Sequence, residues 1–221
     1  MTTVVFKTSD NVKITGDFYQ PAGSTSAVLL LHMMPSTRKS YESLAETLNK
    51  AGFTTLAIDL RGHGDSVSMS AANGDIVLNF KKFTPLEHQA SRLDVDAAMN
   101  FLKQKGFSEN EISFVGASIG ANLSLDALYR YAGTHRAVLL SPGLDYRGVI
   151  TEIPMKKLQP TQNVWLISAE RDEYSVDAVY ALHVLQPKTS TLTVFSDEEH
   201  GTDLLEAHPQ LADDIVKFFA A

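Results

Sequence analysis

The sequence predicts an α/β domain: a mostly parallel sheet of eight strands, opened by an antiparallel hairpin, with helices on both faces. Three observations predict it. From residue 27 onward, short apolar runs alternate with longer amphipathic ones, the order that winds helices onto a parallel sheet through right-handed crossovers. One of those runs, Ala27-Val28-Leu29-Leu30-Leu31, is apolar without a break, as a strand covered on both faces must be. The 221 residues, 44% apolar and 20% charged, suffice for a substantial core and contain no linker, repeat or low-complexity tract, so residues 1–221 are expected to form a single domain.

The elements follow in order. Residues 2–8 and 12–19 read as two strands joined across Ser9-Asp10-Asn11, with Val12, Ile14 and Phe18 on alternating positions. Pro21-Ala22-Gly23-Ser24 then turns the chain into strand 27–31. A helix over about 38–50 leads to strand 53–58, one over about 86–105 to strand 112–116, and one over about 118–131 to strand 137–141. Strand 163–168, a helix over about 175–185, strand 191–196 and a last helix ending near Phe219 complete the domain.

Composition narrows the chemistry. There is no cysteine, so disulfides, thiolate nucleophiles and Cys-ligated metals are excluded, and covalent chemistry must use oxygen or nitrogen. With 19 Lys and Arg against 26 Asp and Glu the net charge is −7, and the Lys81-Lys82 pair alone is no footprint for a phosphate backbone; nucleic acid is not an expected partner. The first ten residues lack a basic segment followed by an apolar stretch, and no later run has the length of a membrane span, so a cytoplasmic protein without a membrane partner is expected.

In parallel sheets ligands bind outside the carboxyl ends of the strands, so the residues just after each strand are the candidates. Strand 112–116 runs into Gly116-Ala117-Ser118-Ile119-Gly120, a G-x-S-x-G between a strand and a helix. Such a turn forces the Ser up out of the sheet, and the helix that begins there points its free N–H groups, that of Ile119 first, at a developing oxyanion. Read blandly, the same pentapeptide is a glycine-softened turn with a Ser cap. Two later strand ends favour the catalytic reading. Strand 163–168 is followed by Ala169-Glu170-Arg171-Asp172-Glu173, and strand 191–196 by Asp197-Glu198-Glu199-His200, which supplies an acid and a histidine in the order Ser, acid, His. Imidazole titrates near neutral pH, so His200 can take the Ser118 proton and return it, with Asp172 holding its tautomer. Glu170, Glu173 and Asp177 are the alternative acids. His32 and His63 also follow strands but precede Ser118, and His88, His135, His183 and His208 fall in helices or before strands.

On these residues the chain resembles the α/β-hydrolase superfamily over essentially its whole length, in particular the compact serine carboxylesterases and the dienelactone-hydrolase-like and acyl-protein-thioesterase-like enzymes. Ile58-Asp59-Leu60-Arg61-Gly62-His63-Gly64-Asp65-Ser66 looks like the family's D-x-R-G-x-G-x-S segment, read as structural. His32-Met33-Met34 stands where the family has a His-Gly oxyanion loop, with Met33 in place of the glycine. The resemblance makes the N–H of Met34 the second oxyanion donor beside Ile119. Serine at the elbow separates the chain from epoxide hydrolases and dehalogenases, which carry Asp there, and from true dienelactone hydrolases, which carry Cys. Ile119 in place of the Met of perhydrolase-like members leaves perhydrolysis a weak option. The 21 residues between Ser141 and Asn163 leave no room for an inserted cap, since a parallel crossover alone takes about a dozen. Val67 to Thr84 follows a strand end and carries Phe80 and Phe83, and it is expected to rim the pocket.

The expected function is hydrolysis of a small carboxylic ester or thioester through an acyl-enzyme. The site is Ser118, Asp172 and His200 with Met34 and Ile119 as backbone donors, and no metal or organic cofactor is implied. The alternatives are a catalytically silent binding protein on the same fold, or an aminopeptidase or acyltransferase with the same triad. Neither the oligomeric state nor the natural substrate is readable from the sequence.

Overall fold

The computed structural model describes Met1–Ala221. β1 (Thr2–Lys7) and β2 (Val12–Tyr19) form the opening hairpin, with Asn11 taking the positive φ of its turn. β3 (Ala27–Leu31), β4 (Thr54–Ile58), β5 (Ser68–Met69), β6 (Ile76–Val77), β7 (Ile112–Ala117), β8 (Arg136–Leu140), β9 (Asp145–Tyr146), β10 (Val149–Ile150), β11 (Asn163–Ala169) and β12 (Ser190–Phe195) follow. Ten of these make one sheet in the order β12-β11-β8-β7-β3-β4-β2-β5-β6, with β1 also paired to β2; β9 and β10 pair only with each other. From β12 to β4 every neighbour is parallel, and β2 joins β4 antiparallel. All eight expected strands are present. The four additional ones have two residues each, too short to leave a period in the sequence.

The parallel strands are apolar throughout because they face two cores. In β3, Ala27, Leu29 and Leu31 point into one and Val28 and Leu30 into the other, and each buried Leu stabilises the fold by about 1.5–3 kcal/mol over exposure. The larger core takes side chains from α3 (Arg92–Gln104), α4 (Ile119–Arg130), α5 (Glu152–Lys156) and α6 (Glu173–Leu185). The smaller one is closed by α1 (Glu42–Lys50), α7 (Asp203–Ala207) and α8 (Gln210–Ala220). No helix is long and apolar enough to cross a membrane.

Two expected helices are divided. The first begins as a 3-10 turn, Arg38–Tyr41, because the Arg38 N–H and guanidinium turn toward the buried Asp59 carboxylate. The helix expected over 86–105 splits into α2 (Pro85–Gln89) and α3. Thr84 and Glu87 cap α2 reciprocally, and the Ser91 N–H bonds back to His88 O with 3-10 spacing. The break lets Asp94 on α3 accept from Arg61 N and Nε, both at 2.9 Å, while the other end of that guanidinium clamps Asp10 in the β1–β2 turn. The D-x-R-G segment is thus a set of ion pairs that ties the hairpin, the β4 end and α3 together.

The segment from Val67 to Thr84 contains two short strands, Ser68–Met69 and Ile76–Val77. Its first half is the β5–β6 hairpin, which lengthens the sheet beyond β2. Its second half packs Phe80 flat on the His63 ring, centroids 3.8 Å apart, and His63 in turn stands edge-on to His32. No hydrogen bond or ring contact joins the segment to Ser118, Asp172 or His200. Through Phe80 it packs against the loop after β4.

Candidate active site

Ser118 stands between β7 and α4, with φ 53° and ψ −119°. A non-glycine residue there carries about 1–3 kcal/mol of backbone strain, so the surroundings must hold it. Its N–H donates to Leu140 O at 2.8 Å, and its carbonyl accepts from the Ala121 and Asn122 N–H groups at 2.9 and 3.2 Å. The two flanking glycines are needed for lack of space. A Cβ on Gly116 would overlap the Gly120 carbonyl, and one on Gly120 would overlap the carbonyls of Leu31 and His32.

Asp172 and His200 come together at the ends of β11 and β12. His200 Nδ1 lies 2.7 Å from Asp172 Oδ2, with the imidazole about one-third exposed and the carboxylate mostly covered. Glu170, Glu173 and Asp177 make no such bond. Burial pushes the Asp172 carboxyl up, but hydrogen bonding and charge from His200, with help from Ser141 and Ser175, outweigh it and hold the group below the usual carboxylate range. With Nδ1 committed to Asp172, Nε2 is the free nitrogen of His200. No hydrogen bond within 3.5 Å joins Ser118 Oγ to His200 in this structure, a bond often long before substrate binds.

At the end of β3 the loop solves the missing glycine in its own way. Met33 does not have a positive φ, so the loop requires no glycine there. Its carbonyl is gripped by two donors, His32 Nδ1 at 2.7 Å and the Ser36 N–H at 2.9 Å. The same peptide unit carries the Met34 N–H, which donates to no protein acceptor. Trans geometry points it away from the gripped carbonyl. The Ile119 N–H, first of α4, likewise has no intrahelical acceptor. The His32 tautomer is set by the Leu60 N–H, which donates to Nε2 at 3.0 Å. Complete burial, with His63 beside it, lowers His32 to about 3, so it stays neutral through the working pH range. The two methionines part, Met33 packing with the smaller core and Met34 with the larger, and the Met33 sulfur lies against Gly201 next to His200.

Four residues that the sequence reading did not single out complete the neighbourhood. Ser141, just after β8 with φ 49°, accepts the Gly201 N–H at 2.9 Å, which ties the histidine loop to the end of β8. Ser175 on α6 has its Oγ 3.1 Å from the Tyr146 hydroxyl and 3.4 Å from the Ser141 carbonyl. Tyr146 sits on the β9–β10 hairpin, its ring edge-on to Tyr174 and to His200. The buried Asn122 pins that hairpin, donating to Val149 O at 2.7 Å and accepting from the Gly143 N–H at 3.0 Å. Ser141 stands directly after a strand and was open to the strand-end search; Tyr146, Ser175 and Asn122 leave no local signal.

No group of three or more His, Asp or Glu is placed to hold a metal ion. A concavity of about 490 Å³ lies elsewhere, between α1 and the β2–β4 face beside Asp17, Tyr19 and Glu46.

Residues 23–212 match the model of the family described as serine aminopeptidase, S33. No curated protein sequence matches the chain. Among solved structures, an esterase of Pyrococcus furiosus superposes with a TM-score of 0.77 at 20% identity, over 99% of this chain and 89% of that one. A dienelactone hydrolase of Anabaena variabilis gives 0.69 at 18% identity, over 98% and 94%. A highly thermostable carboxyl esterase of Bacillus coagulans, in complex with glycerol, gives 0.76 at 13% identity, over 99% and 97%. At these identities the likeness is one of fold, here the α/β-hydrolase fold without a cap.

Proposed function

The chain belongs to the serine aminopeptidase S33 family of α/β-hydrolases, and from that membership we propose that it is a serine hydrolase cleaving small carboxylic esters or thioesters through an acyl-enzyme. The observation that carries this reading is the 2.7 Å pair of His200 and Asp172 beside a serine held at positive φ. Ser118 Oγ attacks the carbonyl carbon while His200 Nε2 takes its proton. Asp172 keeps Nδ1 protonated and stabilises the imidazolium. The N–H groups of Met34 and Ile119 receive the oxyanion, His200 returns the proton to the leaving oxygen, and water repeats the sequence to free the acid. The esterase names of the structural neighbours favour an ester over other acyl compounds.

The test is hydrolysis of short-chain aryl esters by the wild type and by Ser118→Ala. The variant is expected to lose at least about 10³-fold in kcat, and retained activity would overturn the mechanism. The family's description favours one second reading, release of an amino-terminal residue by the same machinery. Aminoacyl anilides assayed beside the esters distinguish the two, because an aminopeptidase prefers the anilides.

A further inference from the structure

The sheet order sorts the groups around Ser118 by side. Met34, after β3, lies on one flank of β7, whereas β8, β11 and β12, with Ser141, Asp172 and His200 after them, lie on the other. Tyr146 belongs to the second flank. Its hydroxyl is 3.1 Å from Ser175 Oγ and 3.5 Å from the Ser141 carbonyl, and its ring meets His200 edge-on with centroids 6.5 Å apart. A donor there is on the wrong side to serve the oxyanion. It is on the side from which His200 hands a proton to the departing oxygen and from which water later enters.

We propose that the Tyr146 hydroxyl is a catalytic hydrogen-bond donor to the leaving oxygen in acylation and to the attacking water's oxygen in deacylation. This rests on the acyl-enzyme reading above and assigns the site to esters of poorly departing alcohols, where negative charge on the leaving oxygen is largest. In acylation the bond from Ser118 Oγ to the carbonyl carbon forms and the bond from that carbon to the leaving oxygen breaks. The proton travels from Oγ to His200 and on to the alcohol, and Tyr146 keeps its own proton throughout. The phenol is suited to that part. Burial, and the nearby charge of Asp172, raise it above the usual tyrosine range, so it stays protonated wherever the enzyme works. It is also held still, since Asn122 pins its hairpin and the Thr151 hydroxyl closes the hairpin base on Gly143 O at 2.8 Å.

Tyr146→Phe removes the hydroxyl and keeps the ring. The experiment measures kcat/KM for one acyl group on a series of alcohols, from nitrophenol to ethanol, in wild type and variant, with circular dichroism as the folding control. The variant is expected to lose at least about 10-fold on the ethyl ester and less than about 3-fold on the nitrophenyl ester, so its rates fall more steeply with leaving-group basicity. An equal loss across the series, or none, overturns the proposal. Should Tyr146→Phe misfold, Ser175→Ala removes the partner that orients the phenol, and the same leaving-group-dependent loss is expected in smaller degree; no such dependence overturns the proposal. Failure of the wild type on every ester is a distinct outcome that overturns the acyl-enzyme reading itself.

Discussion

A neutral, fully buried imidazole at His32 grips one carbonyl and accepts one N–H. Its low pKa makes the stability of the fold depend on pH. The unfolded chain binds a proton at His32 below its ordinary 6.5, while the folded chain resists down to about 3, so this residue's contribution is whole above about pH 6.5 and is lost as pH falls through that window. Chemical unfolding at pH 7 and pH 5 should show a fall that is smaller by roughly 2 kcal/mol in His32→Gln, which lacks the titrating ring. Equal slopes would mean that His32 is protonated in the fold. Because the ring also orients the Met34 peptide, the same variant should lower kcat by about 10-fold with little change in KM, as the loss of an oxyanion contact does. Asp172 titrates in the opposite chemical sense but on the same side. Its folded value lies below the ordinary 3.8, so the stability it adds is present above that pH and disappears in more acid solution. At this scale the sequence was readable wherever a residue's chemistry and its place after a strand coincided, as for Ser118, Asp172 and His200. Ser175 and Tyr146 reach the site from a helix and a separate hairpin, through tertiary packing that no local pattern encodes.

Two elements hold the site in shape. The elbow between β7 and α4 depends on the absence of two Cβ atoms, since each would meet backbone carbonyls that cannot step aside. Gly120→Ala is therefore expected to cost about 3 kcal/mol or more, read as a shift of the urea midpoint, with Ala121→Gly as a milder neighbouring control. The β9–β10 hairpin depends on Asn122. Asn122→Ala removes two buried hydrogen bonds and leaves the Gly143 N–H without its partner, which should destabilise by about 2–4 kcal/mol and weaken activity through Tyr146. The strands were legible because continuous apolar runs between turn residues have few other uses. The break between α2 and α3 was not, because the apolar period continues across it while the ion pair of Arg61 and Asp94 sets the direction of α3. In segment 67–84 the length was plain, but the pairing that adds β5 and β6 to the sheet involves two residues apiece and leaves no period in the sequence.

Across the whole molecule one sheet carries every candidate group on its carboxyl edge, and the connection from β8 to β11 holds only the β9–β10 hairpin and α5. With no cap to open, the rate on a soluble butyrate ester should follow simple saturation through the concentration at which the ester forms micelles; an abrupt rise there would reveal a lid. The filling of 221 residues by strands and crossovers made this architecture foreseeable. What the sequence could not supply was distance, and the 2.7 Å between His200 and Asp172 joins two residues far apart in the chain into a candidate acid–histidine pair. The most direct test is covalent labelling by a fluorophosphonate, followed by mass spectrometry of the digested protein. The account predicts one phosphonyl group per chain, on Ser118, and no labelling of Ser118→Ala or His200→Ala. Failure of the folded wild type to react, or modification at another serine, would contradict it.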